Sequence, residues 1–236
     1  AQRRHEMDLL KIRFFTNVSH EFRTPLSLII SPLEKIMKDP VKSYQESQIK
    51  LIYRNARRLL NLVNQLLDFR RMEVQKIDLK PTYGDIIEFV REIYKTFTDL
   101  ADRKSIDFNY HTSHPGYFTW FDHDKLEKII FNLLSNAFKF TPEGKSISIT
   151  LEVDEDHSLP VTNDKPAQAG GQIGIRIADT GLGMPKENLD RIFDRFFQND
   201  APGSVISQGS GIGLSLTREF VQLHKGTIDV ESEPGK

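Results

Sequence analysis

The apolar positions in the first third of the chain follow a helical period. Over residues 14–36 they recur at steps of three and four residues, which is the stripe that a helix buries in a bundle. After a break at residues 38–40, residues 49–66 repeat as a heptad seam. The first stripe consists of Phe14, Val18, Phe22, Leu26 (or Pro25), Ile29, Leu33 and Ile36. The seam consists of Ile49, Ile52, Ala56, Leu59, Val63 and Leu66, and it is widened by Tyr53, Leu60 and Leu67.

Residues 1–76 are therefore predicted to form a helical hairpin with a broad apolar face. Two helices alone cannot bury so wide a face. Pairing of two copies into a four-helix bundle is the simplest remedy, so the sequence predicts a homodimer. In the alternative arrangement, the hairpin packs only against the rest of its own chain.

From residue 77 onwards, strand and helix patterns alternate. The predicted strands are 77–82, 105–111, 117–121, 145–155, 172–179 and one from Thr227, and the predicted helices are 85–103, 123–140 and 213–224. Residues 158–171 are predicted to be a surface loop. The pattern predicts a two-layer α/β domain over 77–236, with helices on one face of a mixed sheet, and an α+β fold class for the chain.

Composition narrows the classes of function. The 236 residues are 38% hydrophobic and 28% charged, with a net charge of -1, so no nucleic-acid contact is expected. The absence of cysteine excludes disulfides and thiolate metal sites. No apolar run approaches the ~18 residues that a membrane span needs, so no membrane contact by this segment is expected. The chain starts in mid-helix and stops abruptly, as expected of a piece of a longer protein.

His20 carries the clearest chemical signal of the helical part. It lies two positions from both Val18 and Phe22, about 200° around the helix from each, and is predicted to face away from the apolar stripe. It is either an ordinary surface residue or a nucleophile, because a neutral imidazole offers a free lone pair and Glu21 could hold the other ring proton. A zinc site of the His-Glu-x-x-His type is excluded, since Thr24 stands where the second histidine is required.

Three polar residues share one face of the predicted helix 123–140. Asn132 and Asn136 are four residues apart, and Lys139 follows three further on. Amide oxygens can coordinate a magnesium ion that brings phosphate ligands, and the ammonium group can meet phosphate oxygens. The two asparagines could also be buried polar groups that satisfy local backbone.

Two glycine-rich turns follow. Asp179 ends a hydrophobic strand, and an ionised carboxylate there suits an exocyclic amine such as that of adenine. Gly181 and Gly183 would let backbone approach a flat ring closely.

The run Gly-Ser-Gly-Ile-Gly at 209–213 opens a helix and aims backbone N–H groups at an anion, but it matches neither a P-loop nor a dinucleotide fold. Between the turns, residues 192–197 are rich in phenylalanine, of which Phe193 at least is expected to fill core.

These motifs stand in the order found in the sensor histidine kinases of two-component signalling, which the chain resembles over nearly its whole length. The resemblance rests on a histidine box (15–25), an asparagine box (132–140), a first glycine box (179–183), an aromatic box (192–197) and a second glycine box (209–214). It implies that His20 is autophosphorylated, that Glu21 is its acid/base partner and that Thr24 orients water during dephosphorylation of the partner.

The resemblance also implies a site for ATP and magnesium. Asn136 would ligate magnesium, Asn132 and Lys139 would contact phosphates, and Asp179 would recognise adenine. The full implied set of nucleotide-binding residues is Asn132, Asn136, Lys139, Phe140, Asp179, Gly181, Gly183, Phe196, Gly209, Gly211, Gly213 and Leu214. Gln198 stands where many relatives have a basic residue, so Arg191 or Arg195 would have to neutralise phosphate charge. The chain also ends before the family's closing strand, which predicts a truncated C-terminal strand.

The implied function is ATP-dependent autophosphorylation of His20, followed by relay to an aspartate of a response-regulator receiver domain, in trans or fused downstream. Phosphatase activity on the same partner is a further expectation, as is a location in the cytoplasmic portion of a cytoplasmic-membrane sensor. An ATP-hydrolysing clamp of the gyrase and chaperone type is one alternative. Such clamps carry a glutamate where this chain has Asn132, and a carboxamide cannot take up a proton. An inactive dimeric scaffold is the other alternative, although no nucleotide-binding position is substituted.

Overall fold

The computed structural model describes residues 18–19, 22–36, 45–74, 78–154, 172–195, 197 and 211–235. The chain divides into two compact units, one of Ala1–Ile77 with Arg191–Leu216 and one of Asp78–Asp190 with Thr217–Lys236. The helical unit thus includes a distant segment of the sequence that the apolar patterns did not indicate. The predicted domain boundary between residues 76 and 77 stays a prediction.

The first helix, α1, is described at residues 18–19 and 22–36 and has one buried side. Val18, Pro25 and Pro32 are buried there, and the steps of seven residues between them correspond to two helical turns. Leu26 and Leu33, both predicted to lie in this stripe, are 46% and 42% exposed. Within this single chain Pro32, one residue earlier, occupies the buried side in place of Leu33, and at the first position the alternative Pro25 is the buried residue.

The second helix, α2 (Gln45–Val74), divides its apolar residues between two sides. One side contains the half-buried Ile52, Leu59 and Leu66 together with the buried Asn55, whose Nδ2 donates to the carbonyl of Leu51 over 2.8 Å. The other side is an exposed apolar stripe made of Ile49, Tyr53, Leu60, Val63 and Leu67. Two members of the predicted seam, Ile49 and Val63, therefore lie on the exposed side within this chain, and Ala56 is exposed as well.

The second unit alternates strands and helices much as predicted. Its elements are β1 (Thr82–Asp85), α3 (Ile86–Arg103), β2 (Asp107–Thr112), β3 (Phe118–Phe121), α4 (His123–Phe140), β4 (Ser146–Asp154), β5 (Gln172–Asp179), α5 (Lys186–Leu189) and the residues of α6 (Gly213–Leu223) from 217 onwards. The predicted strand at 77–82 was wrong, because residues 78–81 form no strand and β1 begins only at Thr82. Pro81 has no N–H to donate, and the N–H of Lys80 donates to the Asp122 side chain instead of to a strand.

The predicted strand from Thr227 was also wrong over the described residues, since 227–235 contain no strand. The segment makes isolated hydrogen bonds instead of a ladder. Gly235 N donates to the Leu182 carbonyl over 2.9 Å, and Ser232 Oγ accepts from Met184 N over 3.0 Å.

The strands form two sheets. β1 pairs with β3 in antiparallel fashion, and the other sheet has the order β2-β4-β5, with β4 parallel to β2 and antiparallel to β5. The prediction of a mixed sheet is therefore confirmed. α3 and α4 supply one side of the core and β4 the other, and the rings of Phe97 and Phe138 stack at 5.5 Å between the two helices. The fully or nearly fully buried residues of this core include Ile87, Val90, Ile130, Leu134, Ile147, Ile149 and Leu151.

Candidate functional site

The N-terminus of α4 is fixed by a buried carboxylate. Asp122 is 2% exposed and caps the helix by accepting from Lys125 N over 3.1 Å. Its other oxygen accepts from Lys80 N over 2.8 Å and from Lys125 Nζ over 3.0 Å. Burial raises the pKa of this carboxyl, but the hydrogen bonds from Lys80 and Lys125 outweigh burial, so its pKa lies below the ordinary value. Asp122 therefore stays charged at neutral pH and holds α4 in place.

The far half of α4 carries the polar side chains that the sequence singled out. Asn132, Asn136 and Lys139 are all half-buried. The Nδ2 of Asn132 donates to Thr217 Oγ1 of α6 over 2.8 Å. Its partner is thus a side chain of another helix, and not the local backbone of the alternative interpretation. Lys139 Nζ lies 4.8 Å from the centre of the Phe140 ring.

The turn after β5 is joined to the end of α4. Asp179 is exposed, and its Oδ1 accepts from Gly181 N over 3.0 Å. Leu182 N donates to the Phe140 carbonyl over 3.2 Å. A Cβ atom on Gly181 would lie 2.7 Å from that same carbonyl oxygen, so only glycine permits this approach. The structure therefore brings Asp179 and Gly181 together with Phe140.

The sequence predicted that Gly183 lets the backbone approach a flat ring, but in the structure it allows a close approach to another backbone segment of the same chain. It has φ +63°, and a Cβ on it would lie 2.0 Å from the Glu233 carbonyl oxygen. The close neighbour at this glycine is therefore the protein's own C-terminal segment. The turn between Asp179 and Pro185 is held on one side by α4 and on the other by residues 232–235.

The residues from 191 to 216 belong to the helical unit. Arg191, one of the two candidates for phosphate neutralisation, has its guanidinium 4.9 Å from the centre of the Phe197 ring. Phe193, predicted to fill core, is half-buried. Gly211 has φ +66°, and α6 begins at Gly213, as predicted for a glycine-rich helix start. Leu214 is half-buried, whereas Ile212 beside it is buried.

Four predicted site residues lie outside the described residues: His20, Glu21, Phe196 and Gly209. Thr24 is described and is exposed on α1. Among the described residues, no three His, Asp or Glu side chains cluster as a metal site. The predicted magnesium ligand, Asn136, lies half-buried on α4. No helix in the described part of the chain is long and apolar enough to cross a membrane.

The described residues suit a phosphate-bearing nucleotide. One face of α4 combines an ammonium group with two amide groups, and an acceptor carboxylate adjoins its C-terminal end. In addition, Thr141 Oγ1, buried directly after Phe140, has no hydrogen-bond partner in the described structure. A buried hydroxyl without a hydrogen-bond partner is costly. A bound group or an ordered water that bonded to Thr141 Oγ1 would remove this cost.

Comparison with known proteins gives the family. Residues 10–75 match the His Kinase A (phospho-acceptor) domain, and residues 121–236 match the histidine kinase-, DNA gyrase B- and HSP90-like ATPase domain. The chain belongs to the sensor histidine kinases of two-component signalling. The predicted family and the predicted fold class are thereby confirmed, and the C-terminal domain is of the ATP-binding type.

Individual relatives agree with this family. Histidine kinase P4 of Formosa agariphila is 37% identical over 231 residues, which cover 96% of this chain and 16% of the relative. Sensor histidine kinase TmoS of Ectopseudomonas mendocina is 40% identical over 239 residues, which cover 100% of this chain and 23% of the relative. Full-length ShkA, solved in complex with AMPPNP, has a TM-score of 0.65 at 28% identity, covering 95% of this chain and 43% of ShkA. The chain thus spans less than a quarter of the length of each of these two curated kinases.

Sequence reasoning missed two residues that organise the site. Asp122 could have been recognised as a helix cap, because it directly precedes the predicted helix from residue 123. Thr217 gave a weaker signal, a hydroxyl on a helix side whose other members, Leu216 and Phe220, are apolar and buried.

Proposed function

We propose that this chain transfers the terminal phosphoryl group of ATP to His20, and that the group then passes to an aspartate of a response-regulator receiver domain. The observation that carries the proposal is the junction of α4 with the turn after β5. The polar face of α4 ends at Phe140, whose carbonyl is bonded to the turn that follows Asp179. Groups for phosphate and a group for the base therefore adjoin, in a chain whose histidine box offers a nucleophile.

The described residues have roles that their chemistry allows. Asp179 accepts the exocyclic N–H of adenine, and Lys139 neutralises phosphate charge. Asn136 would hold magnesium, and Asn132 would contact the phosphates. Magnesium, when bound, offsets the charge on the transferring phosphoryl group. The remaining residues of the proposed site shape its backbone or walls: Phe140, Gly181, Gly183, Phe196, Gly209, Gly211, Gly213 and Leu214.

In the transfer step, a ring nitrogen of His20 forms a bond to the terminal phosphorus while the bond from phosphorus to the bridging oxygen breaks and ADP leaves. Glu21 accepts the proton of the other ring nitrogen. The product is a phosphoramidate, whose high transfer potential suits relay to a carboxylate. Thr24, exposed on α1, would orient water when the partner is dephosphorylated.

The proposed active form is a homodimer, in which the exposed apolar stripes of α1 and α2 pair with those of a second copy. We place the receiver domain on the helical hairpin near the histidine box, where Arg23 is exposed. By its family, this portion would lie on the cytoplasmic side of a membrane-anchored sensor.

Hydrolysis of ATP without transfer is the less favoured activity. It needs a general base for water, and the position that carries glutamate in clamp-type ATPases is Asn132 here. Its amide nitrogen donates to Thr217 and cannot take up a proton.

Incubation of the chain with γ-labelled ATP tests the proposal. Acid-labile, base-stable label is expected on the wild-type protein and on His111→Gln, a control that alters an exposed histidine of β2. His20→Gln should carry no label, because it lacks the nucleophile. Release of free phosphate without protein label would indicate an ATPase, and neither product would indicate a scaffold.

A further inference from the structure

Two hydrogen bonds fix the register of α6 on α4. Asn132 Nδ2 of α4 donates to Thr217 Oγ1 of α6 over 2.8 Å. At the other end, the backbone N–H of Asp122 donates to His224 Nε2 over 3.4 Å. As residue numbers rise from 122 to 132 along α4, the numbers of the contacted residues fall from 224 to 217 along α6. The two helices therefore run antiparallel. The side chain of Asn132 is consequently tied to a second element.

Thr217 is an unusual residue for its position. It is 1% exposed, and Leu216 and Phe220 beside it are buried. Valine would fill nearly the same space without a polar atom, whereas a buried hydroxyl is costly unless it is hydrogen-bonded. The hydroxyl oxygen of Thr217 accepts from Asn132, so the choice of threonine serves this hydrogen bond and not packing alone.

We propose that Thr217 is a positioning residue for the nucleotide site and acts through Asn132. The inference rests on the proposed function, in which Asn132 contacts the phosphates. A carboxamide has two N–H donors and one acceptor oxygen, and its terminal torsion is otherwise broad. Because Thr217 holds one N–H, the second N–H and Oδ1 of Asn132 keep a fixed direction before nucleotide arrives. Such preorganisation lowers the entropy that binding would otherwise cost.

The test is a mutant cycle on the 236-residue chain, with the dissociation constant for magnesium-ATP measured by calorimetry. Thr217→Val, which replaces the hydroxyl with a methyl group of similar size, is expected to weaken binding about threefold to tenfold. Thr217→Ser keeps the hydroxyl and should restore most of that loss. In an Asn132→Ala background, Thr217→Val should add no further loss, because the residue through which it acts is absent. Thr96→Val is the matched control, since it removes a hydroxyl that donates to the Ile93 carbonyl on α3.

Three results would overturn the inference: unchanged binding by Thr217→Val, an equal loss in Thr217→Ser, or additive losses in the double variant. If Thr217→Val does not fold, Thr217→Ala takes its place in the same cycle. Failure of the wild-type chain to bind magnesium-ATP would instead refute the proposed function. The two failures are therefore distinguishable.

Discussion

At the scale of single residues, we propose that the two oxygens of Asp179 have separate tasks. Oδ1 accepts from the N–H of Gly181 and so closes the turn after β5. The residue is exposed, which leaves the rest of the carboxylate to a ligand. A single side chain thus links the shape of the turn to the proposed recognition of adenine.

Asp179→Asn should separate these two tasks. The amide oxygen can still accept from Gly181, but the amide nitrogen presents a donor to the donor amine of adenine. We expect the dissociation constant for ATP to rise at least about tenfold. The circular dichroism spectrum, which reports the fold, should not change. Asp190→Asn, which changes an exposed carboxylate just after α5, should bind as the wild type does. Equal affinity in Asp179→Asn and the wild type would refute the role in base recognition.

At the scale of secondary-structure elements, α4 carries most of the site and its position is decided at its N-terminus. The buried ion pair of Asp122 and Lys125 joins this end of the helix to the segment before β1 through Lys80. Removing one partner of such a pair leaves a buried charge without compensation. The position of the polar face of α4 therefore depends on Asp122 and Lys125, which lie at the opposite end of the helix.

Asp122→Asn is expected to lower the free energy of unfolding by about 2–4 kcal/mol at pH 7. The folded-state pKa of Asp122 is depressed, so its stabilisation is complete above the ordinary aspartate value of about 4 and is lost as pH falls through the lower folded value. The difference between wild type and variant should accordingly shrink on acidification below about pH 4.

Urea unfolding followed by the fluorescence of Trp120, the only tryptophan and part of β3, measures this difference. Asp124→Asn is the control, because its ion pair with Lys128 at 3.1 Å is on the surface and should be worth less than about 1 kcal/mol. A pH-independent difference between wild type and Asp122→Asn would contradict the assigned pKa shift.

At the scale of the whole molecule, the apolar residues of the hairpin exceed what one chain buries. The exposed stripe on α2 includes Leu60 and Leu67, and α1 exposes Leu26, Ile30 and Leu33 at steps of four and three residues. Leaving such stripes in water is unfavourable, and a second copy offers matching stripes. This arrangement supports the proposed four-helix bundle.

Leu60→Glu should convert the proposed dimer into a monomer, because it places a charge in the middle of the exposed stripe. Asn61→Glu adds the same charge at an exposed polar position about 100° further around α2 and should leave the dimer intact. Light scattering after size exclusion gives the mass of each variant. A monomeric wild type, or a dimeric Leu60→Glu, would refute the proposal.

The sequence by itself determined the elements that bear the motifs. The helical period and the alternating strands predicted α4 and β5 with the bounds later observed, because local periodicity indicates where such elements begin and end. It also placed Asn132, Asn136 and Lys139 on one helix face, since that face follows from helix geometry alone.

Tertiary structure decided which of these groups meet. The partner of Asn132 is 85 positions away at Thr217, the end of α4 bonds to the turn at Leu182, and Gly183 faces the backbone of Glu233. The choice of Pro32 over Leu33 on the buried side of α1 and the division of the α2 face depended equally on neighbours. Such contacts arise from packing between segments distant in sequence, and no local pattern encodes them.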